Sequence, residues 1–156
     1  MKQRRITAYV LTSFMTGLFS LGCISSAFAD EGPSGLWKTI DDKTGKAKAL
    51  VRITEVNGEL QGKIEKLFIE AEGADKNPKC DKCEGERKDQ PIIGMTILYG
   101  LKKDGDEYSG GKILDPNNGK TYSSKLSLTD NNKKLSVRGY IGAPMFGRTQ
   151  TWLREQ

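Results

Sequence analysis

The side chains best suited to chemistry gather near the C-terminal end of the chain: Arg138, Tyr140, Arg148 and Gln150, followed by Trp152 and Arg154. Guanidinium forks beside a phenol and an amide suit the gripping of a carboxylate or phosphate headgroup, which is recognition rather than bond breaking. The 156-residue chain has no histidine. Its commonest candidate general base and transition-metal ligand are therefore both missing, and with them Ser-His-Asp, Cys-His and His-metal arrangements. Carboxylates that could form an acid–base pair, Asp41, Asp42, Asp104, Asp106, Asp115 and Asp130, all fall in turn signals, where Asp is favoured for its local hydrogen bonds. An enzyme is the least favoured class, and no catalytic residue, metal or cofactor is expected.

Cys80 and Cys83 form a Cys-x-x-Cys pair inside a long polar stretch. Three readings stand open. A disulfide closing so short a ring would stiffen the stretch locally, with less global effect than a long-range bridge. A redox pair would need a thiolate activated at a helix N-terminus, a context this sequence does not offer. A metal knuckle would need further ligands from Asp75, Asp81, Glu84, Glu86 or a second chain.

The N-terminus carries a basic head (Lys2, Arg4, Arg5), an apolar run from Ile6 to Ile24 and Ala27-Phe28-Ala29. This is the layout of a secretory signal cut after Ala29. The run is interrupted by Thr12, Ser13, Thr16, Gly17 and Ser20, too polar for a good permanent span. A lipoprotein reading through Cys23 meets Ser20 where an aliphatic residue is usual. The expected organisation is a cleaved signal at residues 1–29 and one domain at residues 30–156, exported to the periplasm, where thiols tend to pair. Without the three basic residues of the head, the 25 Lys and Arg fall to 22 against 20 Asp and Glu, a net charge of +2. No basic cluster interleaved with aromatics remains to bind nucleic acid.

Eight apolar, β-branched runs must position these groups: Gly35 to Ile40, Ala47 to Val56, Glu59 to Phe68, Ile92 to Lys102, Glu107 to Leu114, Thr121 to Thr129, Lys134 to Ile141 and Arg148 to Arg154. Turn residues separate them, with Asn57-Gly58 the strongest hairpin signal. Eight is the strand number at which an up-and-down antiparallel barrel closes around side chains or one small ligand. In the fourth run Ile93, Met95, Ile97, Tyr99 and Leu101 alternate with other residues and read as one buried face. A short helical turn is expected around Phe68 to Gly73. The segment from Glu70 to Gln90 is too long for a turn, and connectors of that length are usually functional or tied down.

In the last hairpin, pairing Ile141 with Arg148 places Val137 opposite Trp152 and Gly139 opposite Gln150 on one face, whereas a one-residue slip brings Arg138 and Tyr140 there instead. Either register mixes aromatic and charged groups on one face. That face is read either as a solvated outer surface with rim ion pairs or as the polar lining of a cavity.

Gly35-Leu36-Trp37 resembles the Gly-x-Trp signature of lipocalins, in which the tryptophan plugs the barrel floor beneath an arginine of the last strand; Arg154 in Trp152-Leu153-Arg154 would be that cover. From Gly35 to Arg154 the chain also resembles a bacterial exported family catalogued as domain of unknown function 2147. The resemblance rests on Asp41-Asp42 with Thr44-Gly45-Lys46, Cys80-Asp81-Lys82-Cys83, Gln90 to Met95, Gly110 to Pro116, Val137 to Gly142 and Gly147 to Trp152. It implies an exported, single-domain, lipocalin-like barrel and brings no established ligand. The expected function is a periplasmic module binding a small amphipathic or anionic molecule, with Trp37, Arg138, Tyr140, Arg148 and Gln150 as ligand-binding residues, and Arg154 and Trp152 structural. The competing expectation is an envelope structural or interaction protein acting through residues 70–90.

Overall fold

Turn chemistry cuts the chain into strands at nearly the predicted places. The computed structural model describes residues 32–155; the expected signal at residues 1–29 and Cys23 lie outside the described residues. Eight strands follow in order, β1 (Gly35–Ile40), β2 (Ala47–Val56), β3 (Glu59–Leu67), β4 (Thr96–Asp104), β5 (Glu107–Asp115), β6 (Lys120–Thr129), β7 (Lys134–Tyr140) and β8 (Gly147–Glu155). Each pairs antiparallel with the next, and β8 returns to β1 through Leu36 opposite Glu155, Trp37 opposite Arg154 and Lys38 opposite Leu153. Closure removes both sheet edges. The β2–β3 turn is the two-residue hairpin that Asn57-Gly58 encodes, both residues taking positive φ (53° and 77°).

Alternation buries one side chain in two along most strands. Trp37, Val51, Ile53, Leu60, Leu98, Leu101, Leu126, Leu135, Val137 and Trp152 make the apolar interior. In β4 the expected single face of Ile97, Tyr99 and Leu101 is not what forms. Leu98 and Leu101 are both fully buried, because the pairing with β3 slips between Leu60 opposite Leu101 and Gly62 opposite Leu98. Gly100 takes φ 73° between them, a conformation L side chains rarely adopt. The inserted residue turns Tyr99 outward, where the Arg87 guanidinium stacks 5.0 Å from its ring centre. The strand also begins later than Ile92. Ile93 N donates to Asn77 Oδ1 (3.0 Å) and Met95 N to the Ile92 carbonyl (3.2 Å), so this stretch belongs to the preceding connector. The predicted helical turn at Phe68 to Gly73 is absent. Among the described residues a single 3-10 turn lies instead at Gly85–Arg87.

An up-and-down barrel sorts its connectors by end. Both described termini and the β2–β3, β4–β5 and β6–β7 turns share one end; the β1–β2, β3–β4, β5–β6 and β7–β8 connectors share the other. The first end is closed. Trp37 is fully buried there and its indole N–H donates to the Pro33 carbonyl at 2.8 Å. Arg154 lies over the Trp37 ring at 4.3 Å and donates to the carbonyls of Asn132 (2.7 Å), Ser34 (3.1 Å) and Gly32 (2.8 Å). One side chain thus ties the lead-in, β8 and the β6–β7 turn together.

Candidate functional site

The second end of the barrel is open onto a cavity of about 680 Å³. That is within the range of small-molecule sites, and the wall is of the usual kind, apolar with a few polar groups. Ala49, Val51, Ile64, Ile97, Ile113, Val137 and Trp152 form the depth, while Lys48, Asp115, Asn118, Tyr122, Arg148 and Gln150 bring polar atoms toward the mouth. The long β3–β4 connector contributes Phe68, Ile69, Pro78 and Ile92 to the rim.

The last hairpin decides which predicted residues meet this cavity. Gly139 stands opposite Arg148, Val137 opposite Gln150 and Leu135 opposite Trp152, so Arg148 pairs two positions earlier than the expected Ile141. A shift of two preserves the faces. Leu135, Val137, Gly139, Arg148, Gln150 and Trp152 accordingly share the inner side. Arg148 and Gln150 line the cavity, as does Trp152, whose indole N–H donates to Gln150 Oε1 at 3.3 Å. Arg148 also forms an ion pair with Asp42 of the β1–β2 connector at 3.0 Å, with both side chains well exposed. Arg138 sits on the other face. Its guanidinium donates to Thr149 Oγ1 (2.8 Å) and to the carbonyls of Pro144 (2.7 Å) and Met145 (3.5 Å), so its donors serve the β7–β8 connector. Tyr140, also outward by alternation, borders the mouth because it ends its strand. Trp37 lies at the sealed end and does not line the cavity. The structure therefore brings Tyr140, Arg148, Gln150 and Trp152 together and leaves Arg138 and Trp37 apart from them.

Sequence reasoning missed Tyr122, Lys48, Asn118 and the rim residues Phe68 and Ile69. Only the even register of β6 and β7, Ser124 opposite Gly139, places Tyr122 inward, and no local pattern marks the rim. Gly139 is a signal that was available: it leaves room beside Ile113 Cγ2 and Tyr122.

Cys80 and Cys83 are joined by a disulfide and are both buried. The bridged segment is seated on the β5–β6 turn, where Lys82 Nζ donates to the Asn117 carbonyl at 3.1 Å. A Cβ on Gly119 would stand only 1.8 Å from the Lys82 carbonyl oxygen. Cys80 N to Gln90 O (2.9 Å), Asp89 N to Cys80 O (3.0 Å) and Ile92 N to Pro78 O (2.9 Å) close the connector on itself. No group of three His, Cys, Asp or Glu among the described residues is arranged to hold a metal ion. Among the same residues no helix is long and apolar enough to cross a membrane.

Residues 35–154 match the model of a family described as an uncharacterized protein conserved in bacteria, domain of unknown function 2147. The chain belongs to that family. Its barrel is similar to a solved structure, protein HP1028 from the human pathogen Helicobacter pylori, described as belonging to the lipocalin family. The two share 22% sequence identity at a TM-score of 0.66, over 79% of this chain and 82% of that one. At that identity the likeness shows the fold alone, and the fold of this family member is a lipocalin-like eight-stranded barrel. No curated protein matches the chain.

Proposed function

We propose that this member of the family is an exported binding protein that holds a small amphipathic, anionic molecule in its barrel, apolar part inward and headgroup at Arg148 and Gln150. The carrying observation is the cavity of about 680 Å³, walled by Ile, Val and Trp152 in its depth and polar at its mouth. A barrel serving only as scaffold gains by filling such a space, because unfilled apolar volume is destabilising. Arg148 supports an anionic headgroup: its guanidinium already holds the Asp42 carboxylate, and an entering carboxylate or phosphate offers the same acceptor geometry. Export to the periplasm rests on the basic head, apolar run and Ala-Phe-Ala of residues 1–29. Residues 70–90 support this reading better than they support an envelope-docking role, since their backbone and Lys82 contacts go inward, to the connector itself and the β5–β6 turn.

The test is calorimetric titration with dodecanoate and dodecanol, two probes of one chain length and different head charge. Dodecanoate is expected to bind, and Arg148→Ala to weaken it roughly threefold to tenfold, a charge-assisted contact discounted for the exposure of the site. Dodecanol binding should not change in that variant. Absence of binding by either probe, with native mass spectrometry of the purified protein showing no retained small molecule, would overturn the proposal.

A further inference from the structure

Large apolar side chains are exposed at few places among the described residues. Three of the four, Ile141 (67%), Met145 (76%) and Phe146 (70%), sit on the β7–β8 connector at the mouth. The connector is built to hold them out. Ile141 N donates to the Phe146 carbonyl (3.2 Å) and Phe146 N to the Ala143 carbonyl (3.0 Å), while Arg138 reaches along the outer face to the Pro144 and Met145 carbonyls. Ile141 and Phe146 border an apolar cavity and yet leave most of their surface in water. From Tyr140 to Gly147 the chain has no charged side chain, and the cations flanking the run are Arg138 and Arg148. On the facing connector, Phe68 and Ile69 lie at the same rim.

We propose that this connector docks the barrel, mouth first, on a phospholipid bilayer, with Ile141, Met145 and Phe146 entering the acyl boundary and Arg138, on the outer face, at the level of the lipid phosphates. The order of chemistries along the connector, apolar and uncharged at the tip with Tyr140 and the outward Arg138 behind it, matches the order met on entering a bilayer from its interior outward. Three side chains on a narrow loop offer far less than the roughly 1,000 Å² that a specific protein partner needs. A fluid surface needs no complementary shape. Because the tip edges the cavity, an amphiphile could pass between bilayer and barrel with little apolar surface crossing water. Docking itself does not depend on what the cavity holds, so it stands or falls apart from the ligand-binding reading.

The experiment is co-flotation with vesicles of phosphatidylethanolamine and phosphatidylglycerol. It uses the chain from Asp30 onward, which contains the whole closed barrel, so that the apolar run of residues 6–24 makes no contribution. The protein is expected to float with the vesicles, and the combined Ile141→Ser, Met145→Ser, Phe146→Ser variant to lose the bound fraction roughly tenfold or more with its thermal midpoint unchanged. Val56→Ser, the exposed apolar residue at the opposite end, should float as the unaltered protein does. Phe146→Trp should shift its emission to the blue when vesicles are added. The proposal is overturned if the unaltered protein stays in the aqueous fraction or if the triple variant floats equally well. It is also overturned if light scattering without vesicles shows a dimer that the triple variant abolishes, which would assign the tip to a second copy of the chain.

Discussion

The Arg154 guanidinium lies over the fully buried Trp37 ring, 4.3 Å from its centre, and from there reaches three backbone carbonyls. Stacking on an indole is worth about 0.5–2 kcal/mol, and the lost carbonyl hydrogen bonds, those to Asn132 and Gly32 part-buried, add to it. Arg154→Ala is expected to lower the urea-unfolding free energy by about 2–4 kcal/mol. Arg154→Lys should recover less than half of that, because an ammonium cannot serve three divergent acceptors and the ring at once.

At the other end of the barrel, Asp42 holds Arg148 in an ion pair that an anionic headgroup at the proposed site would have to displace. Asp42→Asn should therefore tighten dodecanoate binding by a few-fold at low salt, with the gain shrinking as salt is added, since exposed charges are screened within roughly 10 Å at 0.1 M. Titrations at two ionic strengths check both parts of this expectation.

The Cys80–Cys83 bridge spans three positions in sequence, so its chain-entropy contribution is small, about 2 kcal/mol by loop-closure scaling. Reducing the bridge should cost no more than this globally while exposing residues 78–92 to amide exchange and proteolysis. Gly119→Ala should have the same local signature with the bridge intact, because its Cβ would enter the Lys82 carbonyl. Hydrogen exchange read by mass spectrometry distinguishes a local effect from global loss.

Acid should loosen the β1–β2 connector before the barrel. Asp41 Oδ1 accepts from Thr44 N (2.9 Å), Thr44 Oγ1 (3.0 Å) and Lys43 N (3.1 Å), and these bonds, that from Thr44 N foremost, hold its carboxyl below the ordinary aspartate value. A carboxyl whose pKa is lower in the folded state stabilises the fold above its unfolded pKa, and the effect is lost as pH falls through the folded one. The window is therefore acidic, below about pH 4. In carbon-detected NMR titration Asp41 should titrate below the ordinary aspartate value, and Thr44→Val, which removes the hydroxyl bond, should bring it part of the way back.

The barrel was readable in the sequence because its information is local. Strand alternation, Asn57-Gly58 and the other turn signals, and the count of eight runs each reflect interactions within a few residues of one another. The pairing of Trp37 with Arg154 is not local; it was legible only through the resemblance of Gly35-Leu36-Trp37 to the lipocalin signature. The β4 face was misread because Gly100 admits a bulge that no alternating pattern announces.

By itself, the sequence determined the fold class, the lack of any histidine and a last hairpin rich in arginine, aromatic and amide side chains. Tertiary structure decided which of those groups serve a cavity: Arg148 and Gln150 inward, Tyr140 at the rim, Arg138 outward beneath the β7–β8 connector, Trp37 sealed at the far end. The physical reason is that facing in a sheet depends on register, and register in β7–β8 is set by the six-residue connector and the packing of Leu135 on Trp152 and Val137 beside Gln150. Composition places an arginine on a strand, but only closure of the barrel around its core chooses the side to which it points.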